Sequence, residues 1–133
     1  MPAQVNIPTY EEISIVVCAF YKKVRDNARL GHFFEHLEDF AAHEKRLTDF
    51  WWMSMGGKLD DPPKINMIGK HFPMGIKDED LQTWLALFSE TLLQHLNEAK
   101  GLYWMDKVMI ISARLKQIVI DNQGMGVQIS NNV

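Results

Sequence analysis

Apolar residues recur along this chain at helical spacing, not in alternation. Ile13, Val16, Val17, Phe20 and Val24 fall on one face of a helix. Tyr21, four residues after Val17 and three before Val24, turns the same way. Thr9 and Glu12 have the spacing of a capping box, in which two side chains satisfy two open amides at a helix start. Lys22, Lys23 and Arg25 lie near the other end, where the helix dipole favours cations. Gly31-His32-Phe33-Phe34 predicts a short helical turn. A second long helix is predicted from about Glu38 to Met55, with an inner face of Phe40, His43, Leu47, Phe50 and Trp51 and a stop at Gly56-Gly57. A third begins near Asp78, whose carboxylate is expected to cap it, and carries Leu81, Trp84, Leu85, Phe88, Leu92 and Leu96. The last begins after Gly101, carries Val108, Ile111, Leu115, Ile118 and Val119, and is broken by Gly124 and Gly126. With no alternating strand pattern, the fold class expected is all-α.

Between the second and third helices, Pro62-Pro63 and Pro73 bracket a short helical piece, because proline starts a helix but cannot continue one. Ile65, Ile68 and Phe72 give it one apolar side, and His71 stands at the edge of that side. A histidine so placed is either a hydrogen-bonded core residue or a ligand. His43 poses the same choice, occupying a slot where the pattern asks for an apolar residue.

Length and charge narrow the classes. The 133 residues suffice for a single domain over 1–133, with an ordered core of about 9–123 and a loose tail over 124–133. Seven Phe, four Trp, three Tyr and eight Met supply bulk for an internal pocket. The net charge of -3, with cations scattered among acids, points away from nucleic acid and from anionic membranes. One cysteine, Cys18, excludes an internal disulfide and any cysteine-based metal site; within its helical pattern it reads as a small core filler. No basic, apolar leader opens the chain, and no run approaches the roughly 18 apolar residues of a membrane span. A cytoplasmic protein is expected.

Tyr21, His43, His71 and the Trp84 indole all lie on inward stripes. Each costs about 1–3 kcal/mol to bury without a partner. Four such groups on four helical segments either pair among themselves in the core or surround something. Phe- and Trp-rich helices converging on two histidines match what a flat apolar cofactor with a central metal requires, and haem has that character.

Over about Ile13 to Gln117 the chain resembles the truncated haemoglobins, the small two-over-two helical globins, and specifically their group III branch. The resemblance rests on the order and spacing of Ala19-Phe20-Tyr21-Lys22-Lys23-Val24-Arg25, Leu30-Gly31-His32-Phe33-Phe34, His43 to Phe50-Trp51, Lys70-His71-Phe72-Pro73 and Leu81-Gln82-Thr83-Trp84-Leu85-Ala86-Leu87-Phe88. It implies a truncated globin fold around haem b (iron protoporphyrin IX), with His71 as the proximal iron ligand. It implies that Tyr21, His43 and Trp84 line the distal ligand site and that Phe34 packs on the haem edge. Leu47, Phe50 and Trp51 are further wall residues, and Phe20, Ile68, Phe72 and Leu81 complete the cofactor-binding set. The ligands implied are dioxygen, nitric oxide or carbon monoxide.

The residues then take chemical roles. A neutral His71 donates to iron while its second nitrogen needs an acceptor. The Tyr21 hydroxyl can donate to bound dioxygen, and Trp84, which can only donate, favours the same anion-like ligands. His43 can bond the ligand, swing as a gate, or bind iron itself. Arg46 reaches a haem propionate or simply faces water. His32 and His36, an i, i+4 pair without a clear third ligand, read as solvent-exposed, and His95 as an end-of-helix cation or plain surface. The function expected is oxygen binding, storage or sensing. The alternatives are a haem enzyme for nitric oxide detoxification or peroxide reduction with a separate electron-donating reductase, or a haem-free helical interaction module. No histidine follows a Glu by three residues, which argues against a di-iron bundle.

Overall fold

The computed structural model describes residues 6–63 and 75–120. Among these residues the regular structure is helical throughout: α1 (Tyr10–Asp26), α2 (Phe40–Ser54), α3 (Asp78–His95) and α4 (Glu98–Leu115). A 3-10 turn, Gly31–Phe34, lies between α1 and α2, and a π turn, Lys116–Ile120, continues α4. The segment with Ile68, His71 and Phe72, and the expected break and tail from Gly124 onward, lie outside the described residues. α1 packs on both α2 and α3, and α3 packs on α4, so two helix pairs meet along the α1–α3 seam. Among the described residues no helix is long and apolar enough to cross a membrane.

The capping box forms as predicted: Thr9 Oγ1 accepts from the Glu12 amide at 3.1 Å and Glu12 Oε1 from the Thr9 amide at 2.9 Å. Glu12 also receives Lys100 of α4 at 2.9 Å, tying the start of the first helix to the last. Ile13, Val16, Val17, Phe20, Tyr21 and Val24 are all buried. At the end of α2, Gly56 adopts φ +97°, a backbone that glycine takes without penalty. The Gly57 amide returns to the Trp52 carbonyl, and a Cβ there would stand 2.2 Å from the Trp52 ring.

Four expectations are corrected. The carboxylate at the start of α3 is that of Asp80, which accepts from the Lys77 amide at 2.9 Å, while Asp78 pairs with Lys116 at 3.0 Å. An acid in the third helical position can reach back to the cap, as in a capping box. Gly101 does not precede α4 but lies buried in its first turn, because Asn97 already caps the Lys100 amide at 2.9 Å. Cys18 is exposed, not a core filler, and its thiol meets Glu44 Oε1 at 3.4 Å. On α2, of the expected inner residues only Trp51 is buried, whereas Thr48 and Asp49 are. Thr48 returns its hydroxyl to the Glu44 carbonyl at 2.8 Å, and Asp49 accepts from Tyr10 at 2.5 Å and from Lys45 at 2.8 Å. Satisfied polar groups can therefore hold that contact, which leaves Phe40, His43, Leu47 and Phe50 half-covered.

Where the pairs meet, Phe20 and Phe88 lie 4.6 Å apart, and Trp104, wholly buried, stands 5.5 Å from Phe88 and 5.8 Å from Trp51. Trp104→Ala should cost about 3–5 kcal/mol, read as a lower urea midpoint at an unchanged slope.

Asp49 adds a pH dependence. Burial alone would raise its carboxyl, but the bonds from Lys45 and Tyr10 and the Lys45 charge outweigh burial and hold it below the usual carboxylate value. Its contribution is therefore present above the unfolded pKa, about 3.9, and lost as pH falls through the lowered folded value. Asp49→Asn should be less stable than the parent at neutral pH, and the gap should close in acid; a gap independent of pH would refute this linkage.

Candidate functional site

Side chains from three helices and the 3-10 turn converge beside the α1–α3 seam. The Tyr21 ring is set edge-on to His43, with centroids 5.4 Å apart and planes at 85°. Phe34 stands 5.7 Å from Tyr21 and 5.9 Å from His43, and Phe40 is 5.8 Å from His43. Phe20 bridges Tyr21 at 4.9 Å and Trp84 at 5.3 Å. Helical spacing explains the placement: Tyr21 follows Val17 by one turn on α1, and His43 follows Phe40 by three residues on α2.

Tyr21 has 8% of its surface exposed. Burial pushes its phenol well above the ordinary tyrosine value; the Trp84 indole N–H lowers it slightly in the manner of a hydrogen bond, and the Glu44 charge raises it. An indole can only donate, so the influence of Trp84 on Tyr21 is that of a donor beside the phenol oxygen. Tyr21 is thus a neutral donor in a water-poor place.

The three predicted polar groups within the described residues, Tyr21, His43 and Trp84, are brought together. Phe34 flanks Tyr21 and His43 half-covered and Phe20 lies buried against Tyr21 and Trp84; Leu47 and Phe50 are half-covered, and Trp51 and Leu81 buried. Arg46 is exposed. His71, Ile68 and Phe72 fall outside the described residues. His32, His36 and His95 are exposed, and no group of three metal-ligating side chains occurs among the described residues. Two features were missed. Phe40 belongs to the ring cluster, and Arg25, expected to serve only the helix end, lies 3.9 Å over its face. An arginine fifteen residues before a phenylalanine carries no local signal of such a pair.

These residues fit a flat apolar cofactor. Large apolar side chains on inward helix faces remain half-covered, and a buried phenol beside them keeps a proton to donate.

No protein-family model and no curated protein matches this chain. Among solved structures, truncated hemoglobin from Tetrahymena pyriformis in its ferric form superposes at TM-score 0.67 with 22% identity, as a tyrosine-to-phenylalanine mutant. A glutamine-to-glutamate mutant of the same protein superposes at 0.63 with 23% identity; each alignment covers 84% of this chain and 96% of the other. The chain has the truncated-haemoglobin fold. In that fold the all-helical expectation and the two helix pairs are both accounted for.

Tyr21 should keep its proton beyond the pH, about 10, at which an exposed phenol ionises. Ring-labelled tyrosine NMR should show its resonance unshifted until the chain unfolds; titration near the ordinary value would contradict its burial.

Proposed function

We infer that this chain is a haem-binding truncated globin, of the group III branch, that binds dioxygen and other diatomic ligands at a polar distal pocket. The observation that carries the reading is the convergence of Tyr21, His43 and Trp84 from three helices beneath half-covered apolar walls. Haem b would supply a ferrous centre that binds such ligands reversibly. His71 is assigned as its proximal ligand. Phe34, Leu47, Phe50 and Trp51 wall the ring, together with Phe20, Ile68, Phe72 and Leu81, and Arg46 is assigned to the propionate rim.

Within that pocket Trp84 orients the Tyr21 oxygen, and Tyr21 presents its O–H to the anion-like end of the ligand. Such a bond in a dry site contributes about 1.5–3 kcal/mol, roughly a tenfold to hundredfold slower escape. His43 flanks the same space from α2. Several polar groups around one ligand favour holding it over quick release. That also suits turnover of nitric oxide or peroxide, for which a separate reductase would supply electrons. A single domain in the cytoplasm, without nucleic-acid or membrane partners, completes the proposal.

The protein expressed with haem supply should show an intense Soret band that shifts on reduction and again with carbon monoxide. A flat spectrum after reconstitution would favour a haem-free helical module. His71→Gly should lose haem or leave a site that free imidazole refills, and unchanged retention and spectrum would remove the proximal assignment. Tyr21→Phe should speed oxygen dissociation by at least several-fold, measured by stopped flow. An unchanged rate would shift the donor role to His43 or Trp84.

A further inference from the structure

Between α1 and α2, a groove of about 240 Å³ is lined by Tyr10, Ser14, Cys18, Glu44, Lys45 and Thr48. Its volume suits a one-ring molecule. The Tyr10 hydroxyl donates to Asp49 Oδ1 at 2.5 Å, and Asp49 is 6% exposed. A phenol reachable from a groove and bonded to a nearly buried carboxylate is equipped for oxidation. An oxidised phenol is a strong acid, and a base already in hydrogen-bond contact can take its proton without rearrangement. Lys45, on the other carboxylate oxygen at 2.8 Å, keeps Asp49 ionised and ready.

Aromatic side chains lie between the same tyrosine and the interior. Tyr10 meets Trp52 edge-on at 5.8 Å. Trp52 follows Trp51 on α2, Trp51 stands 5.8 Å from Phe88, and Phe88 stands 5.2 Å from Trp84. Trp84 and Tyr21 both stand against Phe20, at 5.3 and 4.9 Å. Oxidisable side chains thus run from the pocket to the groove, with Phe88 as the single ring between Trp84 and Trp51 that is not readily oxidised.

We propose that the Tyr10 groove is a docking and oxidation site for small one-ring phenols, linked through Trp52, its chain neighbour Trp51, Phe88 and Trp84 to the inner pocket, where a hydroperoxide is reduced. The proposal rests on the haem reading above. Hydrogen peroxide takes up two electrons and two protons and leaves as two waters. Each electron drawn from Tyr10 leaves a phenoxyl radical, and the phenolic proton passes to Asp49. A docked phenol then gives one hydrogen atom back to Tyr10 and departs as its own radical. Asp49 releases its proton to solvent, which supplies the pocket with the two protons needed for water. Two phenols are consumed per peroxide.

The test uses the ferric, haem-loaded protein, hydrogen peroxide and guaiacol, with Tyr10→Phe and Trp52→Leu as variants. Rapid-freeze electron paramagnetic resonance should show a tyrosyl signal that falls at least several-fold in both variants. Guaiacol oxidation should fall by a similar factor, while the Soret band and carbon monoxide binding stay as in the parent. Asp49→Asn should keep the Tyr10 ring but slow radical formation. A Soret band with an undiminished tyrosyl signal and undiminished guaiacol oxidation in Tyr10→Phe overturns the groove site alone. No Soret band at all overturns the haem reading and this proposal with it.

Discussion

The contact of Phe20 on α1 with Phe88 on α3 sets the geometry that the other helices follow. At 4.6 Å between centroids, it joins the α1–α2 pair to the α3–α4 pair. Trp51 and Trp104 close around Phe88 from the two flanks, so one ring of α3 touches aromatics from three other helices. Burial of such large surfaces is the main favourable term in folding, and aromatic edges and faces add directional preference. Tyr21 follows Phe20 in sequence, so the seam that orders the core also orients the tyrosine beside it. Core and candidate pocket share one constraint.

The pocket places a polar group where burial is costly and then limits that cost with few partners. Tyr21 is almost fully covered, which keeps the phenol neutral and makes its proton a donor and nothing else. Phe20 stands between Tyr21 and Trp84, meeting each edge-on. A histidine, two phenylalanines and an arginine stacked on one of them complete the surroundings. At the start of α1 the opposite arrangement holds: Tyr10 faces a groove and has an ionised acceptor. Two tyrosines on one helix thus meet different surroundings, one buried among rings and the other bonded to a carboxylate.

Much of the fold was legible in the chain. The capping box of α1, its six buried residues, the 3-10 turn and the double-glycine stop all follow from local rules that need no partner helix. The α2 face was less legible. A periodic stripe of Phe40, His43, Leu47, Phe50 and Trp51 suggested a single inner face, yet the helix is rotated so that Thr48 and Asp49 meet α1. Hydropathy assigns threonine and aspartate outward; a back-bond to Glu44 and a bond from a tyrosine thirty-nine residues away bring them inward. Trp104 lies four residues before Val108, in register with the apolar stripe of the last helix, but its contacts with Phe88 and Trp51 come from other helices.

What the sequence determined by itself is therefore local: which stretches are helical, where they start and stop, and which polar residues lie on inward stripes. Periodicity and capping act over one or two turns and leave a readable trace there. Tertiary structure alone decided how those stripes are rotated and which residues share a pocket. It alone set the Arg25–Phe40 stack, the Tyr10–Asp49 bond and the approach of His43 to Tyr21. Each of these joins residues from different helices or across a turn, so its energy depends on helix packing and no local pattern encodes it.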